Sequence, residues 1–362
     1  MVALVPAPLT PATLDELAAA VRSAPRVIAV GAGTKPRLAE VGADVVRIST
    51  ANLSGIVDYE PSEFTFTALA GTPLREIVAA LGEKGQYLPF DPPLAEAGAT
   101  LGGTVAAGLS GPGRFRFGGL RDFILGVRFA DGEGRLLRLG GRVVKNAAGF
   151  DVPKFFVGSA GRFGVFGELT FKVFPRPLGR RTLCLPVVDT AAIGAIFAAA
   201  GAARWELDAL EADPAAPAVW LRLGGAEAAL EVLAAEILAR WPGRTVPAAE
   251  AAAHWAAISE FGWAPAGGTL AKFALTPGQV PAFAAALAAV PGAKGWIGAG
   301  GNVGYAAVPK GTALPAWSGA GVTLRGAGPL WLGAQPAFAA MRAVKAALDP
   351  ANRFPGLDET GA

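Results

Sequence analysis

Cysteine and histidine are almost absent from this 362-residue chain, which contains one of each. The single cysteine, Cys184, excludes an internal disulfide and suits a reducing compartment. Its apolar neighbours Leu183 and Leu185 predict a buried structural thiol rather than a reactive one. The single histidine, His254, excludes a metal site built on two histidines, and one cysteine excludes a cysteine-ligated iron–sulfur cluster.

Long apolar runs and dense clusters of positive charge are also missing. No uninterrupted apolar stretch reaches the roughly 18 residues that a membrane-spanning helix needs. Residues 1–10 lack a basic region followed by an apolar core, so we expect no secretory signal. The net charge of +3 comes from scattered basic residues, which is atypical of nucleic-acid-binding proteins. We therefore expect a soluble protein that binds a small anion or belongs to a larger assembly.

Hydrophobic periodicity predicts a region of mixed strands and helices up to residue 177. The spacing of apolar residues in 14–21 predicts a helix capped by Thr13, with Glu16 as its capping-box partner. Asp131-Gly132 predicts a hairpin. Strands are predicted at 26–30, 45–48, 55–58, 64–70, 123–130, 135–139 and 167–173, and a second helix at 72–81. In the glycine-dense segment 98–119, few residues are expected to be able to form long regular elements.

The stiff sequence Pro175-Arg176-Pro177 predicts a domain boundary, after which the composition changes. Alanine-rich helices are predicted at 191–200, 226–240, 280–289 and 335–348, with strands such as 218–223 and 269–275. This order favours an α+β domain with helices on one face of a sheet. The tail from Asp349 to Ala362 is expected to be frayed. All eight tryptophans lie beyond the boundary, where they either pack in the core or face a partner subunit.

A glycine-rich loop, Val30-Gly31-Ala32-Gly33-Thr34-Lys35, follows the first predicted strand. Glycine allows positive φ and close backbone approach, and consecutive amide N–H groups in such a turn bind phosphate. An ordinary tight β-turn would look similar. The loop is not a Rossmann fingerprint, because the third glycine would fall on Pro36, and it does not have the Walker spacing.

Three further glycine-rich segments follow in order. The second motif is made of residues 89–92, 99–108 and 118–122, the third of residues 140–151 and the fourth of residues 157–168. Segments of small residues make a poor core and a good surface for a flat or phosphorylated ligand. For Arg121 and Asp122, a local ion pair is the alternative to a role in binding.

The order and spacing of these motifs resemble the FAD-binding domain shared by vanillyl-alcohol oxidase and p-cresol methylhydroxylase (PCMH). Within that superfamily the chain resembles the FAD-binding E subunits of bacterial glycolate oxidases. The resemblance covers residues 26–177, and Leu348-Asp349-Pro350 followed by Arg353 is similar to the ending of those subunits. It implies an α+β fold in which a two-lobed PCMH-type FAD-binding domain, residues 1–177, precedes a smaller α+β cap domain with a C-terminal helix, residues 178–362.

The resemblance also implies which residues would bind FAD, largely through their main chain. The implied pyrophosphate loop is Gly31, Ala32, Gly33, Thr34 and Lys35. The residues implied along the pyrophosphate and the isoalloxazine are Pro89, Asp91, Thr100, Leu101, Gly102 and Gly103. The rest of the flavin cradle would be Ala107, Gly108, Arg121 and Asp122, and the adenine side Gly161, Gly164 and Val165.

Two departures from the superfamily concern histidine. No histidine lies in residues 1–253, so the expected FAD is non-covalent. Catalytic 2-hydroxy-acid dehydrogenases of the superfamily carry an H-G-H-x-G-D-G-N-type metal stretch, whereas the nearest segment here, 298–305, has no histidine. No metal is therefore expected. A histidine base would have to be His254, for which a structural role is the alternative. Arg222 and Arg325 are candidates for binding a substrate carboxylate.

The resemblance implies an FAD-binding subunit of a heteromeric glycolate oxidase that converts glycolate to glyoxylate. Its implied partners are a larger flavoprotein subunit and an iron–sulfur subunit, and its flavin would accept hydride or relay electrons. Its implied location is the cytoplasm, or the inner membrane surface through the complex. Two alternatives stay open: a free-standing FAD-dependent 2-hydroxy-acid or alcohol dehydrogenase, and a non-catalytic subunit stabilised by flavin.

Overall fold

The computed structural model describes residues 7–141, 152–335 and 338–357. Within these ranges we distinguish the N-terminal region (residues 7–175), the nine-stranded region (179–332) and the C-terminal segment (338–357). The third glycine-rich motif lies outside the described residues from position 142 onward.

The N-terminal region is built on two sheets and a short strand pair. Its strands are β1 Val27–Val30, β2 Val46–Ser49, β3 Ile56–Glu60, β4 Thr65–Leu69, β5 Gln86–Tyr87, β6 Ile124–Ala130, β7 Leu136–Gly140, β8 Val165–Lys172 and β9 Phe174–Pro175. Its helices are α1 Leu14–Arg22, α2 Leu74–Glu83, α3 Leu101–Ala107 and α4 Arg114–Phe117, with 3-10 turns at Pro36–Ala39, Pro61–Glu63, Leu120–Asp122 and Val152–Phe156. Strands β1 and β2 pair in parallel, and the antiparallel five-stranded sheet has the order β3-β4-β8-β6-β7.

The local signals at α1 and at the hairpin are confirmed. The Thr13 hydroxyl accepts the Glu16 N–H at 3.2 Å, and the Glu16 carboxylate accepts the Ala12 N–H at 2.7 Å. The β6–β7 hairpin has a five-residue loop, because the Asp131 carboxylate accepts the N–H groups of both Glu133 and Arg135. The buried aspartate therefore organises a longer turn than Asp-Gly alone would predict.

Residues 98–119 contain no long element but two short helices that the sequence did not predict, α3 of seven residues and α4 of four. Thr100 caps α3 by accepting the Gly103 N–H at 3.2 Å. A Cβ at Gly102 would lie 2.9 Å from the Ala70 Cβ, so the glycine allows the helix to pack directly against the end of β4. Tertiary packing thus outweighs the low helix propensity of paired glycines.

The nine-stranded region is a single antiparallel sheet with helices on both faces, so the expectation of helices on one face only is wrong. Its strands are β10 Gly179–Pro186, β11 Ala209–Asp213, β12 Ala218–Gly225, β13 Arg244–Val246, β14 Thr269–Ala274, β15 Lys294–Gly298, β16 Val303–Val308, β17 Gly321–Arg325 and β18 Trp331–Leu332, in the order β13-β10-β12-β11-β15-β16-β14-β17-β18. Its helices are α5 Thr190–Ala202, α6 Glu227–Arg240, α7 Ala248–Ser259 and α8 Val280–Ala288, with 3-10 turns at Pro277–Gln279 and Ala299–Gly301.

The two faces of this sheet have different partners. Side chains such as Leu221 and Ala271 pack with the apolar faces of α5, α6 and α8. Because successive residues of a strand point to opposite faces, the alternate positions face the other way. Leu270, Trp296 and Tyr305 on that second face form a cluster with residues from the N-terminal region. The sheet therefore joins its own helices to the N-terminal region.

The C-terminal segment, with α9 Phe338–Leu348, packs on the core of the N-terminal region. The Asp349 carboxylate is fully buried, pairs with Lys345 and accepts the N–H groups of Arg353 at 2.8 Å and Phe354 at 3.0 Å. The Arg353 carbonyl accepts the Val27 N–H of β1 at 2.8 Å. The expectation of a frayed tail is thus wrong for 349–357, since one buried carboxylate anchors it.

The domain boundary at residues 177 and 178 stays a prediction. The last strand of the N-terminal region ends at Pro175, and the nine-stranded sheet begins at Gly179. Phe354 and Leu357, which follow the nine-stranded region in sequence, belong to the core clusters of the N-terminal region. The predicted second domain therefore contains a segment that packs on the first.

Replacing Asp349 with alanine should destabilise the N-terminal region. The substitution leaves the buried Lys345 ammonium without its carboxylate, and breaking a buried pair in this way costs about 3–5 kcal/mol. Urea denaturation followed by circular dichroism would measure this loss. The matched control is Glu231→Ala, an exposed glutamate of α6, which should change stability by less than about 0.5 kcal/mol. Equal stability of the two variants would contradict the anchoring role of Asp349.

Candidate functional site

Two cavities lie along α3, and together they contain most of the residues predicted to bind a cofactor. The first cavity, of about 360 Å³, opens beside the loop after β1. The predicted residues that line it are Gly31, Ala32, Gly33, Thr34, Lys35, Thr100, Gly102, Gly103, Gly161 and Gly164. The first, second and fourth glycine-rich motifs thus meet around one space.

The glycines of the first loop are required by its geometry. A Cβ at Gly31 would lie 2.5 Å from the Thr100 hydroxyl oxygen, which is too close for any unshifted contact. Gly33 has φ of +70°, a conformation that residues with a side chain rarely adopt. The loop therefore passes close to the start of α3 and keeps its main chain exposed to the cavity.

Two cationic side chains line the first cavity. Lys35 is buried and donates to the Thr34 hydroxyl at 2.9 Å; burial lowers the pKa of Lys35 to about 8, and Glu260 partly opposes this shift. Arg47 on β2 also lines the cavity, and within the described part of the chain its guanidinium has no hydrogen-bond or ion-pair partner. Sequence reasoning missed Arg47, because it belongs to a strand and not to a glycine-rich motif.

Arg162 holds two walls of the first cavity together. Its fully buried guanidinium donates to the Leu38 carbonyl at 2.7 Å and to the Ala160 carbonyl at 2.5 Å. Leu38 follows the first glycine-rich loop, and Ala160 precedes Gly161 in the fourth motif. The arginine therefore fixes the distance across which a ligand would be held.

The second cavity, of about 340 Å³, lies between the N-terminal region and the nine-stranded region. From the predicted set it is lined by Ala107, Gly108, Arg121 and Asp122. The opposite wall includes Lys272, Asn302, Val322 and Trp331. A local ion pair between Arg121 and Asp122, the alternative to their role in binding, is absent from the described residues, and the Asp122 carboxylate accepts the Gly119 N–H at 2.9 Å.

Four predicted residues have side chains outside these two cavities. Leu101 and Val165 are buried in hydrophobic cores, and Pro89 is buried beside Gly113. Asp91 forms an ion pair with Arg222 and accepts the Gly113 N–H at 2.8 Å. If these residues contact a ligand, the contact must come from their main chain or through the neighbours that they position.

Arg222 and Arg325, the predicted carboxylate ligands, are far apart and lie outside both cavities. They belong to β12 and β17, which are five strand positions apart in the sheet, or about 24 Å. Arg222 is paired with Asp91, and Arg325 donates to the Pro265 carbonyl at 2.9 Å. The two arginines therefore cannot bind the same carboxylate.

The only histidine and the only cysteine of the chain also lie outside both cavities. His254 stacks on Trp220 with ring centroids 3.6 Å apart, and burial lowers the pKa of His254 to about 4. Cys184 is buried, and burial raises the pKa of its thiol. Both residues have the environment of structural side chains at neutral pH. In the described residues all eight tryptophans are at least partly buried, which favours core packing.

Two further properties of the described residues bear on function. Their side chains include no group of three or more His, Cys, Asp or Glu residues arranged to hold a metal ion. None of their helices combines the length and apolar character needed to cross a bilayer.

Comparison with known proteins gives similarities for the part of the chain that forms most of the first cavity. Residues 6–140 match the FAD binding domain family. This part of the chain is therefore similar to FAD-binding domains. The match includes the first glycine-rich loop and α3, which supply most of the first cavity, and it agrees with the predicted PCMH-type fold.

The similar proteins extend this result. Over 192 residues the chain is 43% identical to glycolate oxidase subunit GlcE of Escherichia coli strain K12, covering 51% of this chain and 53% of that one. It is 29% identical to glycolate oxidase subunit GlcD of Bacillus subtilis strain 168 over 132 residues, covering 36% and 28%. The matches therefore span about half of the first relative and about a quarter of the second.

A solved structure supports the fold across both regions. The chain is similar to alkyldihydroxyacetonephosphate synthase with a TM-score of 0.67 at 14% identity, covering 95% of this chain and 74% of that one. At this identity the likeness concerns the fold alone. The N-terminal region and the nine-stranded region therefore share an overall fold with that protein.

Replacing Arg162 with methionine should destabilise the walls of the first cavity. The substitution leaves the Leu38 and Ala160 carbonyls without their guanidinium donor, at a cost of about 1–3 kcal/mol for each buried acceptor. Thermal unfolding would detect the loss. The control Arg138→Met changes an exposed arginine of β7 and should leave the midpoint nearly unchanged; an unchanged midpoint for both variants would refute the bridging role of Arg162.

Proposed function

We propose that this chain binds FAD non-covalently along both cavities and acts as the FAD-binding subunit of a heteromeric glycolate oxidase. The observation that carries the proposal is the arrangement of the glycine-rich motifs around α3. One end of this helix faces the first cavity and the other end faces the second, so a long dinucleotide can contact both.

The residues of the first cavity fit the adenosine diphosphate part of FAD. Small side chains leave the main chain of 31–34 accessible, and Lys35 and Arg47 supply positive charge for a pyrophosphate. Gly161 and Gly164 form the opposite wall and would contact the adenine side. The remaining proposed FAD-binding residues are Ala32, Thr34, Pro89, Asp91, Thr100, Leu101, Gly102, Gly103 and Val165.

The second cavity fits the isoalloxazine and a small substrate. Ala107 and Gly108 at the end of α3 leave room for a flat ring, and Arg121 and Asp122 complete that wall. When bound, FAD would supply the hydride acceptor for oxidation of a 2-hydroxy acid. The chain's own part is to orient the ring, hold the acid beside it and exclude water from the space between the two regions.

The surroundings of His254 and Cys184 support non-covalent binding. Histidine and cysteine are the residues through which relatives in this superfamily attach flavin, and here neither lines a cavity. His254 is enclosed by Trp220, Trp255 and Trp296. Neither side chain is available to an FAD held along α3.

The substrate and the partners rest on the named relatives. GlcE and GlcD are both named as subunits of glycolate oxidase, which supports glycolate as substrate and an assembly of several chains. In this proposal the partners are a larger flavoprotein subunit and an iron–sulfur subunit, and the complex works in the cytoplasm or at the inner membrane surface. Conversion of glycolate to glyoxylate is the proposed reaction.

The Gly31→Val variant should lose FAD. The new Cβ would meet the Thr100 hydroxyl at 2.5 Å, so the loop must move away from α3. Flavin absorbance of the purified protein, after incubation with excess FAD, should fall at least tenfold relative to wild type. The control Gly201→Ala, on an exposed turn of α5 with open space around it, should keep its flavin. Full occupancy in Gly31→Val would show that this loop does not bind the pyrophosphate.

Anaerobic addition of glycolate separates the proposed subunit from its alternatives. Unpaired cationic side chains in the second cavity favour a substrate site within this chain, so we expect the flavin absorbance of the isolated protein to bleach. A free-standing dehydrogenase would also bleach in the isolated chain. It differs from the proposed subunit in that it would turn over glycolate repeatedly without the other subunits. Flavin that stays oxidised alone and in the complex would indicate a non-catalytic subunit.

A further inference from the structure

The second cavity is lined by three cationic side chains, Arg114, Arg121 and Lys272, and within the described residues none of them has an ion-pair partner. Arg121 is exposed, whereas Arg114 and Lys272 are partly buried. Arg114 lines the cavity from α4, and within the described residues its guanidinium makes no hydrogen bond or ion pair. Lys272 lines it from β14, and its ammonium group donates one hydrogen bond, to the Gly108 carbonyl at 2.9 Å. Asp122 is the one carboxylate among the described residues of this wall, and it is bonded to the Gly119 N–H.

The neighbours of Arg114 fix its direction. Phe115 packs against Gly300, where a Cβ would lie 2.7 Å from the ring, and Arg116 forms ion pairs with Glu206 and Asp208. Both neighbours therefore hold α4 against the nine-stranded region. Arg114 is left beside Gly119, in the wall of the cavity.

The two cations are close enough to affect each other. Burial and, to a smaller extent, the nearby Arg114 guanidinium together lower the pKa of Lys272 to about 8. Tyr305, the cross-strand neighbour of Lys272 on β16, has a pKa raised by burial and stays neutral in the same range. Two like charges in a partly enclosed space are unfavourable unless an anion joins them.

From this geometry we propose that Arg114 and Lys272 together bind the carboxylate of the substrate. The inference rests on the proposed function and adds to it the residues that select a small acid over a neutral alcohol. An arginine offers paired N–H donors to a carboxylate, and a lysine adds a point charge from the opposite wall. Neither residue belongs to a glycine-rich motif.

The test uses oxalate, a two-carbon dicarboxylate that has no C–H hydrogen to lose as hydride. Isothermal titration calorimetry of the full-length, FAD-loaded protein at pH 7 should show binding to wild type. Arg114→Met and Lys272→Met should each weaken binding about tenfold or more, the loss typical of a charge-assisted contact. The charge-matched controls Arg75→Met and Lys310→Met alter exposed residues and should bind within twofold of wild type.

The pH dependence gives a second readout that a merely structural lysine would not produce. Lys272 loses its proton as pH rises through about 8, so oxalate affinity should fall about tenfold between pH 7 and pH 9. Tyr305 stays neutral over this range, because burial raises its pKa, and the other charged residues that line the cavity are Arg114, Arg121 and Asp122. Glu211, whose pKa burial raises to about 7, lies near Tyr305 and does not line this cavity. The Lys272→Arg variant should bind oxalate at pH 7 and should keep that affinity at pH 9. It also tests the proposal if the Lys272→Met variant folds poorly.

The outcomes separate this inference from the proposed function. Wild-type protein that holds FAD but does not bind oxalate, or methionine variants that hold FAD and bind oxalate normally, would overturn the carboxylate site and leave FAD binding intact. The variants could instead lose FAD, while the molecules that keep FAD bind oxalate as tightly as wild type does. That result would also overturn the carboxylate site, because the two cationic residues would then contribute to FAD binding. Failure of wild type to bind FAD would instead refute the proposed function.

Discussion

The buried ion pair between Asp91 and Arg222 determines how the N-terminal region meets the nine-stranded region. Asp91 has a positive φ of 46°, which places its carboxylate between the Gly113 N–H and the guanidinium of β12. Arg222 is almost fully buried and also lies 5.2 Å from the Trp255 ring centroid. A buried charge without its partner is costly, so the two regions are held in the one arrangement that pairs these charges. The second cavity exists only in that arrangement, since each region supplies one of its walls.

The two cavities differ in how much they depend on this contact. All the residues that line the first cavity belong to the N-terminal region, and Arg162 joins two of its walls. The second cavity takes one wall from each region, and the Lys272 contact with Gly108 crosses the interface between them. In the proposed function, the adenosine diphosphate part of FAD is therefore held by one region, whereas the flavin ring and the small acid are held by both.

Local sequence signals predicted the elements but not the contacts between distant residues. Thr13 and Glu16 indicated α1, Asp131 indicated the hairpin, and the glycine-rich loop at 31–35 lies in the first cavity as expected. Arg114 and Lys272 carry no local signal, because they come from elements about 160 positions apart that only the folded chain brings together. Helix α3 was missed for a related reason: its glycines are stabilised by packing on β4, which propensity does not represent. Candidate arginines chosen by residue type alone, Arg222 and Arg325, are occupied by Asp91 and by the Pro265 carbonyl.

The packing of the C-terminal segment on the N-terminal region has a consequence for biosynthesis. Strand β1, which leads into the glycine-rich loop of residues 31–35, bonds through the Val27 N–H to the Arg353 carbonyl, and Phe354 fills the core beside it. During translation the ribosome must make the whole nine-stranded region before these residues appear. The N-terminal region is therefore the first to be synthesised, but its packing is completed only after residue 357 has left the ribosome.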